Sequence, residues 1–236
     1  MSMITDSTSD SSIDLTELRR TLIIRGIMIL FLTSLILFLP AGTLNYVEAW
    51  IWIAMWFIPA LFVVRHFLKT DPNFLAHRMK VKEKEKEQRS IQQFGFLVFI
   101  ISFLIPGLDK RYGWSSVPIE IVIVSDIMVF VSYLIVIRVF KENRYASRVI
   151  EVQSHQKVIE TGPYSVMRHP MYVGSLLMFF FTPPALGSYW ALIFSLLYLI
   201  MIVARIIGEE KILLKELNGY EEYTHKVRFR LIPGVW

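Results

Sequence analysis

Hydrophobic residues along the chain fall into long blocks separated by short charged runs. A helix crosses a bilayer core of about 30 Å with roughly 20 mainly apolar residues, so block length is the first test. Thr21 to Leu39, Val47 to Val64, Ile91 to Leu108 and Val117 to Ile137 each reach that scale. The first block is expected to end at Pro40, Ala41 and Gly42, and the third at Pro106 and Gly107. From Pro170 to Ala204 there is no charged residue at all. That stretch is too long for one helix and contains Pro183, Pro184 and Gly187. Proline removes a backbone donor and glycine permits a sharp reversal, so a bent helix, a turn and a second helix are expected there. The pattern predicts an all-α polytopic membrane protein with about six hydrophobic helices, the last two a Pro-broken hairpin.

The basic residues set the orientation. With the amino terminus in the cytosol, residues 1–25, 65–89, 138–168 and 205–236 lie inside and carry 23 of the 25 Lys and Arg residues. Only Lys110 and Arg111 lie outside. An odd number of crossings would mix the charges, so the split supports an even helix count with both termini cytosolic. Residues 1–20 read as a disordered cytosolic tail: Met1 to Asp14 is rich in Ser, Thr and Asp and lacks the basic and apolar regions of a cleavable signal peptide. Residues 21–140 are then four transmembrane helices and 141–236 a separate core. Lys80 to Arg89, with its alternating Lys and Glu, reads as a solvated loop or helix.

Composition agrees. Among the 236 residues 54% are hydrophobic and 19% charged, whereas soluble domains sit near 45–50% and about 25%. The absence of Cys excludes disulfides, thiolate nucleophiles and Cys-ligated metal centres. The formal charge of +5 reports topology rather than nucleic-acid binding. The five His are far apart in sequence and no His-Glu-x-x-His pattern occurs, so no metal site is expected.

Charge inside a bilayer costs roughly 2.5–3.5 kcal/mol on insertion scales, which makes Asp126 a functional candidate or the partner of a polar residue on a neighbouring helix. Glu48 and Glu120 read as interfacial, and Arg25 as snorkelling inward. The richer polar region is Asn143 to Pro170, which leads into the hairpin; beyond the hairpin come Arg205, Glu209 and Glu210, then a tail rich in Tyr and Arg. Arg205 and Glu209 stand at i and i+4, on one helix face. His169 and Tyr172 stand at i and i+3 around Pro170, which suits a first helical turn with free amides for an anion. A positive-inside anchor with its salt bridge and an interfacial aromatic remain the plain alternatives for Arg205–Glu209 and Tyr172.

Thr161-Gly162-Pro163-Tyr164 and Arg168-His169-Pro170-Met171-Tyr172-Val173-Gly174 precede Glu209-Glu210, Leu213, Gly219, Tyr220 and Tyr223. This series resembles the isoprenylcysteine carboxyl methyltransferase family over about 143–236, in its short prokaryotic form. The resemblance implies an integral membrane enzyme that uses S-adenosylmethionine to methylate a carboxylate on a lipophilic, isoprenoid-type substrate. It implies cofactor contacts at Gln153 or Gln156, Val158, Ile159, Tyr164, His169, Tyr172 and Glu209, and a substrate-facing Arg205. It further implies a site on the cytosolic face of a multi-pass membrane protein, in the inner membrane of a prokaryote, with a substrate entering from the bilayer among membrane lipids. A phospholipid amine N-methyltransferase and an NADPH-dependent sterol-type reductase are the alternatives. The amine acceptor would require a proton acceptor, which Arg205 is not.

Overall fold

The computed structural model describes residues 14–79, 86–146, 152 and 156–236. Among the described residues six long hydrophobic helices are present: α1 (Leu15–Ala41), α2 (Val47–Thr70), α4 (Lys86–Tyr112), α5 (Ile119–Glu142), α6 (Pro170–Ala185) and α7 (Leu192–Glu216). Two short helices join them, α3 (Pro72–Arg78) after α2 and α8 (Tyr220–Lys226) after α7. Five of the six are long and apolar enough to span a bilayer, and α6 is the exception. Its 16 residues rise about 24 Å, short of the hydrocarbon thickness. It forms the expected hairpin with α7, turning at Gly187 with φ +74°.

The stop expected at Pro106 does not occur, and α4 runs on to Tyr112. Pro40 and Pro106 lie inside α1 and α4, and Pro183 and Pro184 inside α6. In an apolar medium a freed carbonyl has no water to turn to, so the helix continues and neighbouring groups compensate. Helix α1 ends where expected, at Ala41 with Gly42 as its cap in the left-handed conformation, whose amide bonds back to Phe38 and Leu39.

Neighbour contacts run α1–α4–α7–α6–α5–α2 and return from α2 to α1, so the six helices close a ring. Large apolar side chains such as Ile27, Phe31, Phe62, Phe96 and Ile200 point outward and are exposed. In water that would be a liability; on five spanning helices it is the lipid-facing surface. Packing inside the ring uses small residues. A Cβ at Gly107 would stand 2.6 Å from the Leu37 carbonyl of α1, and one at Gly174 would stand 2.8 Å from Val136 of α5.

At the end of the ring away from the charged loops, buried Asp109 accepts from the Ser115 amide and hydroxyl and from the Ser188 hydroxyl. Tyr46 donates to the Leu186 carbonyl. These contacts tie the hairpin turn to the α4–α5 loop. Trp52 is inside the bundle, donating to Thr182, whereas Trp50 is exposed. Arg25 reaches the Met79 carbonyl, and Glu48 pairs with Lys110. Asp126 keeps a buried Oδ1 without a hydrogen-bond partner among the described residues.

Candidate functional site

Three chain segments converge at the charged end of the ring: the end of α5, the loop leading into α6, and the end of α7 with α8. They enclose a cavity of about 100 Å³. Gln156, Val158, Ile159, Tyr164, His169, Tyr172 and Glu209, all expected from the sequence, line it. Gln153 lies outside the described residues. Arg205 does not line the cavity but reaches it through one side chain. Its Nε donates to the Tyr172 hydroxyl at 3.0 Å, and that hydroxyl donates to Glu209 Oε2 at 2.6 Å. The i, i+4 pair on α7 is therefore bridged by a phenol from α6. A bond with an ionised partner is the stronger kind, and the phenol here has one at each end.

The loop is held in place from below and behind. Gly162–Ser165 is a single 3₁₀ turn, with Gly162 at φ +57° against the Glu142 carboxylate. Thr161 donates to the same carboxylate. Tyr164 receives a hydrogen bond from the Asn143 side chain at 2.9 Å, and its own carbonyl accepts from the Tyr223 hydroxyl at 2.7 Å. Burial pushes the Tyr164 phenol up to about 12, with the Asn143 hydrogen bond acting against it, so the group is neutral at physiological pH. Leu217, Tyr220, Tyr223 and Val227 form an apolar cluster under the cavity, against which Val158 packs.

Glu210 was not among the expected site residues, yet it organises the wall. It is 5% exposed and lies 3.0 Å from Arg168, 3.2 Å from His169 and 2.7 Å from Arg230. The Arg168 Nε is a close ionic neighbour without hydrogen-bond alignment. The tail reinforces this hub: the amides of Arg168 and His169 bond to the carbonyls of Phe229 and Arg230. Those two amides, just before α6, are thus taken by the tail and not open to an anion. His169 likewise meets Glu210 through Nε2 while its ring borders the cavity.

Tyr220, part of the motif series but not among the expected contacts, is a further lining residue. It lines the cavity, is 4% exposed, and its hydroxyl has no hydrogen-bond partner among the described residues. A buried polar group without a partner costs about 1–3 kcal/mol, a penalty that a polar ligand in the cavity would remove. The i, i+3 spacing of Tyr220 and Tyr223 was the available signal. The lining brings one carboxylate, one imidazole, five phenols, two carboxamides and two cations together around an apolar floor, a surface suited to a polar ligand with an apolar part. Among the described residues no group of three or more His, Asp or Glu is arranged to hold a metal.

Residues 121–220 match the family model for phospholipid methyltransferases, a segment that begins in α5 and ends at Tyr220. No curated protein matches the chain significantly. One similar solved structure is described as the eukaryotic intramembrane Ras methyltransferase, isoprenylcysteine carboxyl methyltransferase, without a monobody. The two align with a TM-score of 0.52 at 17% identity, over 94% of this chain and 88% of that one. At that identity the likeness is one of fold, and it extends to the amino-terminal helices that the family model leaves out. The family match thus covers less than half of the chain, residues 121–220, while the likeness in fold extends over 94% of it.

Proposed function

We propose that the protein transfers a methyl group from S-adenosylmethionine to the carboxylate of a lipophilic, isoprenoid-type acceptor at the cytosolic membrane face. The observation that carries this reading is the Arg205–Tyr172–Glu209 chain at the edge of the cavity. Glu209 offers a carboxylate to the amino group of the cofactor, and Tyr220 a hydroxyl. Arg205, two hydrogen bonds away, offers a guanidinium to the acceptor carboxylate. The bound cofactor supplies an electrophilic methyl on sulfur. An ionised carboxylate is already a nucleophile, so the protein has no proton to remove; its task is alignment, and proximity supplies several kcal/mol of the barrier. The Tyr172 hydroxyl fixes the two charged groups relative to each other and so sets that alignment.

The family match favours a second reading, an amine of a phospholipid as acceptor. A neutral amine must lose a proton after transfer, and the imidazole that lines the cavity, His169, is engaged with Glu210. Arg205 beside the acceptor also disfavours an ammonium product.

Calorimetry in detergent with S-adenosylmethionine and with NADPH tests the cofactor. Binding of the first alone is expected, and binding of NADPH alone would overturn the proposal. Glu209→Ala is expected to abolish cofactor binding, whereas Arg205→Ala retains binding and loses turnover on lipophilic acids. Methylation of phosphatidylethanolamine with no methylation of any lipophilic acid would establish the second reading.

A further inference from the structure

Behind the cavity wall lies a second space, a groove of about 420 Å³ between α5 and α6 on the lipid-facing side of the bundle. Its walls are almost entirely apolar, with Leu134 and Ile135 from α5 and Val173 from α6. One cation, Arg138, stands at its charged end. The Arg138 side chain is 62% exposed, with a guanidinium nitrogen 3.6 Å from Glu142. Glu142 is itself engaged by Thr161 and packed against Gly162, so the pair is a loose one.

We infer that this groove binds an anionic membrane phospholipid, with an acyl chain along the apolar walls and the headgroup phosphate on Arg138. Arg138 sits one turn before the end of a spanning helix, whose last turn carries Lys141, on the membrane face where the basic residues gather. A guanidinium matches a phosphate in charge and in paired donors. A groove open to lipid and lined by carbon takes a chain rather than water. A zwitterionic lipid would bring its own cation beside Arg138 and gain less.

The groove shares a wall with the cavity. Pro163, Met167 and Pro170 face the groove, while Tyr164, Arg168 and His169 from the same stretch face the cavity. A lipid in the groove therefore braces the segment that carries the candidate cofactor contacts.

The test uses the full chain in nanodiscs of phosphatidylcholine with and without phosphatidylglycerol, with retained lipid read by native mass spectrometry. Cofactor is absent, so the result stands apart from the methyl-transfer reading. Phosphatidylglycerol is expected to be retained in preference to phosphatidylcholine. One surface cation near anionic lipid is worth about a fivefold change, so Arg138→Gln should lower retention by that factor. Leu134→Trp should fill the groove and displace the lipid, and Arg138→Lys should keep it. Both positions face lipid, and circular dichroism confirms folding of each variant. Phosphatidylglycerol should also slow amide exchange across residues 164–169. Equal retention of the two lipids, or retention unchanged in Arg138→Gln and Leu134→Trp, would overturn the inference. So would a lipophilic acid retained in place of phospholipid, or exchange insensitive to phosphatidylglycerol.

Discussion

Glu209 and Glu210 are adjacent in sequence and meet different partners. Glu209 accepts one hydrogen bond from Tyr172 and faces the cavity, while Glu210 is buried among Arg168, His169 and Arg230. Removing one partner from a buried charge cluster costs about 3–5 kcal/mol, so Glu210→Gln is expected to lower the melting temperature sharply in detergent. Glu209→Gln is expected to leave it nearly unchanged while losing cofactor binding. Equal melting of the two variants would contradict this division. Tyr172→Phe removes two hydrogen bonds to charged groups, which is expected to weaken cofactor binding by about tenfold or more. Tyr220→Phe should weaken cofactor binding while raising stability, because it deletes a buried hydroxyl that has no partner among the described residues. Calorimetry and thermal melts of the same samples check both. The family motif made Glu209 legible in the sequence. The partners of Glu210 were not, because one lies 41 residues upstream and another 20 downstream, and such distant pairings leave no local spacing.

At the scale of helices, hydrophobic block length located all six long elements, because bilayer thickness fixes how much apolar chain each must present. The ends were less legible. Pro106, read as a stop, lies inside α4, and the short α3 and α8 carry no apolar block of their own. Helix pairing was not readable either. Lipid is as apolar as leucine, so association depends on close approach at small residues rather than on hydrophobic pattern. Gly107→Ala tests this. Its Cβ would meet the Leu37 carbonyl and Pro40, and overpacking typically costs 1–3 kcal/mol, about the scale expected for this variant in a melt. Gly26→Ala in α1 is the matched control, with nothing within 4 Å of the added carbon, and no loss is expected. A tolerated Gly107→Ala would mean that α1 and α4 can slide apart without penalty.

For the molecule as a whole, the cavity, the groove cation and most of the chain's basic residues share one end of the ring, and this sets the side from which the proposed cofactor would come. The lopsided basic charge predicts that this end is cytosolic. The chain has no Cys, so single-cysteine labelling has no background. Tyr112→Cys at the far end of α4 and Asn218→Cys after α7 both fall at exposed positions near opposite ends of spanning helices. An impermeant maleimide applied to intact cells is expected to label the first variant and to reach the second only after permeabilisation. The reverse result would place the cavity outside, where S-adenosylmethionine is not supplied by metabolism. The cofactor proposal would then fail on supply even with Glu209 and Tyr172 in position. Labelling therefore tests the charge argument and the chemistry together, because a lipophilic acceptor can arrive from either leaflet but a charged cofactor is confined to the compartment that makes it.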